Sequence, residues 1–534
     1  MEVDCIPFKE TGYFSKLICD YLDQKEDLTP FYNRFPHLEN FEHQLQEKAS
    51  NYPLSNRKIL VDALNEQYKG FEVSDAIVEK VASLAYEKTF TVVTGHQLNL
   101  FTGPLYFLYK IISTINLTEQ LKNKYPEYDF VPIYWMATED HDFDEINYFN
   151  FNGQKVQWNK KASGAVGVLN TEGLDSVMDT FASQIGNTDN AKRLKSLFKS
   201  AYVEHSNLSD ATRYLANKLF GKYGLVIIDG DDAKLKQLLV PFAKKDIFEN
   251  KPFYKVSEAI DSLSAVSSDY TIQVNPREIN YFYLLDGIRE RIVKNGDNFY
   301  VNNTEITFSQ SGLIEEIEKH PERFSPNVIA RPLYQEIILP NLCYIGGGGE
   351  LAYWLELKSY FEAMDVTFPM LLLRNSALLI TEKQSKKIEN LNLKVSDLFL
   401  KQNSFINKKI REISNIDIDF SPQKRHLEEQ FQNLYQLAEQ TDATFIGAIK
   451  AQEVKQKKGL DTLEKRLLKA QKRKLKDHVI RMTDIQNELF PNASLQERQL
   501  NFSTLYLEFG EQLIPELMDS LNPFLNEFLI VKTS

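Results

Sequence analysis

Glu139-Asp140-His141-Asp142 places three carboxylates and an imidazole in four consecutive positions, directly after the apolar run Val131 to Ala137. Carboxylates crowded in this way are costly to ionise together unless a positive group sits among them. A metal ion, a substrate ammonium or a basic side chain would serve. Asp140, His141 and Asp142 are therefore the candidate catalytic residues. Adjacent residues of an extended chain point to opposite faces, so this run alone is a poor cage for zinc or magnesium, and no metal ligand is assigned.

A second cluster, Thr94-Gly95-His96-Gln97, follows the β-branched run Thr91-Val92-Val93 and leads through Leu98 to Thr102 into Gly103-Pro104. Its glycines let the backbone approach a ligand, and the free N–H groups of a helix start favour an anion such as phosphate. His96 and Gln97 would add hydrogen-bond donors. The glycine spacing matches neither a Walker loop nor a dinucleotide fingerprint, and an ordinary strand-to-helix turn fits the same residues. A third run, Tyr344-Ile345-Gly346-Gly347-Gly348-Gly349-Glu350, carries four successive glycines, a conformational cost that points to close approach by a ligand or another loop. Upstream, Asn327 and Arg331 offer an amide and a fixed positive charge to a carboxylate or phosphate. Cys343 reads as a small buried hydrophobe. In Gln273 to Asn280 and Asp286 to Arg291, loop and hairpin ion pairs explain most of the charge, with Asn275 and Arg277 near the site.

Elements that could position these groups follow from patterning. Short apolar strands are expected near 91–93, 131–137, 225–228 and 368–373. Between the first two, Leu105, Leu108, Ile111, Ile112 and Ile115 keep a helical stripe behind Pro104. Strand, loop and helix alternating in this way predict an α/β fold, a doubly wound, Rossmann-like parallel sheet whose ligands bind at the strands' carboxyl ends. Residues 1–85 read as a mainly helical lead-in and 86–375 as the core. Insertions near 143–215 and 255–325 carry strand-like stretches and turn signals such as Asn295-Gly296. From 376 to 490 Gly and Pro grow scarce. Leu460, Leu463 and Leu467 keep a three-four spacing that Leu468, Leu475 and Val479 continue after a shift of one position. An antiparallel α-helical coiled coil turning near Thr441 and Asp442 is predicted, with 491–534 returning to the core.

A chain of 534 residues exceeds the roughly 250–300 that one core supports. Its 62 basic and 74 acidic residues give a net charge of −12, which argues against a nucleic-acid or acidic-membrane binder. Three scattered cysteines, no signal-like start and no run of roughly 20 apolar residues lead to a cytoplasmic expectation.

Together these segments resemble the cysteine-adding enzyme family of bacillithiol synthesis. The matching stretches are Thr94 to Gln97 through Phe101 to Tyr106, Trp135 to Asp142, Asn275 to Glu278, Ser325 to Val328 with Arg331-Pro332, Gly346 to Tyr353, and Pro491-Asn492 with Leu495 to Arg498. The resemblance implies a Rossmann-like core with two connecting insertions and a coiled coil through which two chains pair as a homodimer. It also implies a ligase that joins the cysteine carboxyl to the amine of glucosaminyl-malate. Activating a free carboxylate predicts ATP as co-substrate. On that view Thr94 to Gln97 and Gly103 would hold phosphates, Asn327 and Arg331 the malate carboxylates, and Gly346 to Glu350 would close over the nucleotide. The family carries Gln where this chain has His96, which makes His96 a ligand contact instead of a proton carrier. The rival readings are a nucleotidylyl transferase for another small molecule and a non-catalytic nucleotide-binding coiled-coil protein.

Overall fold

The computed structural model describes residues 2–440 and 443–533. The chain divides into two compact units, residues 1–379 with 496–531, and residues 380–495 with 532–534.

At the centre of the first unit lie five strands, β1 (Thr89–His96), β2 (Asp129–Met136), β3 (Val226–Asp229), β4 (Asn341–Gly346) and β5 (Met370–Leu373). They pair in parallel in the order β3-β2-β1-β4-β5. Every residue of β1 and all of β2 except Asp129 are buried, as a sheet covered on both faces requires. Helix α1 (Tyr106–Lys124) covers one face with a side that is buried almost all round from Phe107 to Thr118. The strand order reverses between β1 and β4, so a crevice opens beyond their carboxyl ends, at His96 and Gly346.

Three expectations change. Strand β4 was hidden in the sequence by the glycines that follow it, although Leu342 to Ile345 is a short apolar run after Pro340. Second, α1 does not begin at Pro104. Residues 100–102 form a buried 3-10 turn in which Phe101 (φ 49°) and Thr102 (φ 68°) are left-handed. The Phe101 ring accounts for this, because it inserts among Phe149, Phe181, Phe198 and Phe502 at centroid distances of 4.9–5.5 Å. Third, residues 143–215 hold one short hairpin, Tyr148–Phe151 with Gln154–Gln157, and are otherwise dominated by helices. Helices α2 (Ala233–Glu249) and Lys251–Val266 then lead to an irregular segment, 267–280. An antiparallel sheet follows, in which Tyr281–Leu285 pairs with Ile288–Asn295, and Ile288–Asn295 pairs in turn with Asn298–Val301 across the Asn295-Gly296 turn.

In the second unit, helices Ser421–Ala438 and Ala443–Lys474 pack around Phe431, Ala438 and Ile449. Lys424 pairs with Asp461 and Glu464, and Lys457 with Glu428 and Glu453. The expected turn at Thr441 and Asp442 lies outside the described residues. The one-position shift between Leu467 and Leu468 falls inside the continuous helix Ala443–Lys474, which ends before Leu475, and Lys476–Leu489 forms a new helix; Leu463 is 52% exposed. Among the described residues no helix is long and apolar enough to cross a membrane.

Candidate active site

Beyond the switch point lies a cavity of about 770 Å³, a size suited to substrates of a few hundred daltons. Its floor is the junction of β1 and β4. The Thr94 hydroxyl donates to the Ile345 carbonyl (2.7 Å) and ties the two strand ends together. Gly95 lets them approach, since a Cβ there would stand 3.3 Å from the Tyr344 hydroxyl. Buried Lys110, from α1, donates to the Gly95 carbonyl (2.7 Å) and pairs with Glu350 (2.5 Å). Glu350 also accepts from the Tyr344 hydroxyl and from the Gly347 N–H, both at 2.8 Å, which fixes the glycine turn. Burial pushes the Glu350 carboxyl up, but the Lys110 charge and these hydrogen bonds outweigh it and hold it below its ordinary value. Arg374 completes the floor. Its guanidinium bonds to fully buried Glu497 (2.7 Å) and lies over the Tyr106 ring.

The acidic run forms one wall, and its positive partners are side chains of the chain itself. Lys236, from α2, is fully buried and bridges Glu139 (2.6 Å) and Asp231 (2.7 Å). Burial raises the Glu139 carboxyl although Lys236 opposes that shift. Asp140 accepts from Gln97 (2.8 Å) and from the backbone N–H of His141 (2.7 Å). Arg289 donates to His141 Nδ1 (2.7 Å), which makes Nδ1 the acceptor and leaves the neutral ring's proton on Nε2, 3.8 Å from Asp142. Asp140, His141 and Asp142 each offer one ligand atom, all within 4.8 Å of one another, so a cation could be held here, although Arg289 opposes one. Asp140 is partly sheltered, while His141 and Asp142 face the solvent of the cleft. This pattern suits a wall that receives an amine and passes its proton outward.

His96 is enclosed by Tyr106 and Phe107, and burial, reinforced by the Lys110 charge, drops its pKa to about 3. It is neutral at any physiological pH. Asn327 lines the cavity, but its oxygen accepts from Ile329 and Ala330 N–H groups at the start of helix α3 (Ala330–Ile338) and its nitrogen donates to Asn280. Asn327 thus builds the wall, and the second N–H of its amide is left for a ligand. Arg331 bonds to Gln335 (3.1 Å) with its guanidinium over Trp135 and Tyr344.

Of the residues singled out from sequence, the cavity gathers Gly95, His96, Gln97, Asp140, His141, Asp142, Asn327, Arg331, Gly347, Gly348, Gly349 and Glu350. Thr94, Gly103 and Gly346 are not on its lining. Gly103 is buried behind it, where its carbonyl accepts from Asn501 (2.7 Å), so no phosphate reaches it. The lining adds Lys110, Arg289, Arg291, Arg374 and Arg498. Arg374 was detectable, because Arg374-Asn375-Ser376 is a polar cluster closing an apolar strand, the same signal that marks Glu139 to Asp142.

Two family models match the chain: the N-terminal Rossmann-like domain of bacillithiol biosynthesis protein BshC over residues 1–375, and the BshC C-terminal coiled-coil domain over 377–533. Relatives bearing the name of cysteine ligase BshC span it from end to end. That of Flavobacterium johnsoniae is 60% identical, covering 99% of this chain and 100% of its own. That of Christiangramia forsetii is 59% identical over 99% of each, and that of Cytophaga hutchinsonii 38% identical over 98% and 97%. Rossmann-like core, helical domain and full-length relatives agree: this chain belongs to the BshC family of bacillithiol biosynthesis.

Proposed function

We propose that the chain is a ligase that joins the carboxyl of L-cysteine to the amine of glucosaminyl-malate, forming bacillithiol, with ATP activating the carboxyl. The observation that carries this reading is the division of one switch-point cavity into a cationic floor and an acidic wall. A carboxyl being activated and the phosphates that activate it are anionic, and the floor of Lys110, Arg331 and Arg374 suits them. An amine arrives as a cation and must lose protons to attack, and Asp140, His141 and Asp142 suit it. The cysteine carboxylate attacks the α-phosphorus of ATP and pyrophosphate leaves. The sugar amine then attacks the acyl carbon, AMP leaves, and the amine proton passes to the acidic wall. Gln97 holds Asp140 in place, and the turn Gly347 to Gly349, without side chains, leaves room for the nucleotide.

Pairing of two chains through the helical domain belongs to the same reading. Leu437 (56% exposed) and Phe445 (47%), near the ends of its two longest helices, are apolar side chains that a second chain would cover. Purified protein incubated with ATP, cysteine and glucosaminyl-malate should give bacillithiol by mass, with AMP in equal amount. The Asp140→Asn, His141→Ala double variant should lose that activity while remaining folded. Absence of product from folded, ligand-binding wild type would overturn the reading; equal activity of the double variant would overturn the placement of the site.

A further inference from the structure

We propose that Arg277, Arg289 and Arg291 form a dicarboxylate subsite that determines which amine the site accepts. The assignment rests on the ligase reading and adds to it the residues that recognise the substrate's anionic arm. It follows first by elimination. Lys110, Arg331 and Arg374 form the floor assigned above to the carboxyl and the phosphates, and Lys236 is engaged by Glu139 and Asp231. Three arginines of the lining, Arg277, Arg291 and Arg498, form no side-chain ion pair or hydrogen bond among the described residues. Two of these three stand on the same wall, beside Arg289.

Arg289 anchors that wall, and Arg277 and Arg291 reach the cavity from it as exposed side chains. Arg289 and Arg291 are two apart on the strand Ile288–Asn295, so they share a face at a separation of about 6.6–6.8 Å. The Arg289 guanidinium lies 4.0 Å from the centroid of the Phe282 ring and bonds to His141 and to Ser325 (3.3 Å). Its charge is faced by Glu139, Asp140 and Asp142, so it is a balanced platform. The adjacent Glu290 turns to the other face and accepts from Asn303, leaving Arg291 unopposed on its strand. Arg277 is brought to the wall by Asn280, whose side chain accepts from the Arg277 N–H (3.2 Å), donates to its carbonyl (2.9 Å) and accepts from Asn327 (3.1 Å). Arginines two apart on one strand face can each present a guanidinium fork to one of two carboxylates, and a single compact anion would engage one fork at a time.

Titration calorimetry with malate, lactate and inorganic phosphate as probes tests this without requiring turnover. Wild type should bind malate at least about tenfold more tightly than lactate, the increment of one extra charge-assisted pair. The Arg277→Gln, Arg291→Gln double variant should lose that preference. Lys294→Gln removes a charge from the same strand off the cavity lining and should retain it. Malate affinity unchanged in the double variant, no preference in wild type, or an equal loss of phosphate and malate binding would each overturn the subsite. Failure of the ligase reaction would leave these affinities as predicted, so the two readings fail separately.

Discussion

Replacing Lys236 with Met tests how the acidic wall is held. Its ammonium is fully buried and is shared between Glu139, whose side chain is 12% exposed, and Asp231, at 22%. It also donates to the Glu322 carbonyl (2.9 Å), so methionine keeps the volume and removes three interactions. Removing one partner of a buried pair costs about 3–5 kcal/mol, and with two carboxylates left behind the upper end applies. That is a large share of a total stability on the order of 5–15 kcal/mol. The cost must depend on pH. Glu139 already lies above its ordinary pKa through burial, and without the opposing Lys236 charge it rises further. A carboxyl raised in the folded state stabilises fully below its unfolded pKa and loses that contribution as pH rises through the folded value. The Lys236→Met deficit, measured as the shift in urea midpoint against wild type, should therefore be small near pH 4 and grow toward pH 8. Adding Glu139→Gln should recover part of it. A deficit independent of pH, or additive effects in the double variant, would refute the argument.

Three further outcomes follow from the geometry. Asp246 is fully buried, with Asn280 donating to it (3.1 Å), and burial pushes its carboxyl up to about 8. Its stabilising contribution is complete below about pH 4 and is lost as pH rises through about 8, at roughly 1.4 kcal/mol per pH unit, and Asp246→Asn should flatten that slope in a stability–pH series. His96→Gln should leave the shape of the kcat/KM–pH profile between pH 5 and 8 unchanged, because wild-type His96 does not titrate there. Gly103→Ala should destabilise by at least about 1–3 kcal/mol in urea melts without altering the affinity of the remaining folded protein for ligands, because the new Cβ would lie 2.5 Å from Asn99 Cβ, away from the cavity.

The strand ends were legible because an apolar run that stops at a polar cluster marks the carboxyl edge of a buried strand, whatever the loop beyond it does. Thr94 to Gln97 and Glu139 to Asp142 were found in this way, and the family followed from the ordered set of motifs. Strand β4 was missed because four glycines drew the interpretation toward a loop, although the run before them has the same apolar signature as β1. Gly103 misled for a related reason. A glycine before a proline reads as a helix start, whereas here positive φ is needed to fold Phe101 into an aromatic cluster distant in sequence. Of the arginine wall only Arg277 was legible as near the site, while Arg289 and Arg291 read as hairpin ion pairs. Which face of Ile288–Asn295 meets the cavity depends on its register with Tyr281–Leu285 and on the packing of both against β2's loop, and nothing local in Arg289-Glu290-Arg291 encodes that. Lys110 was concealed among the apolar positions of α1, where its use appears only once Glu350, far along the chain, is brought beneath the glycine turn.

The most direct test of the central claim follows the carboxyl oxygens. Cysteine labelled with ¹⁸O in its carboxyl group, incubated with the protein, ATP and glucosaminyl-malate, should pass one labelled oxygen to AMP for each bacillithiol formed. Label recovered in inorganic phosphate, or bacillithiol formed with unlabelled AMP, would contradict activation of cysteine as an adenylate in this cavity.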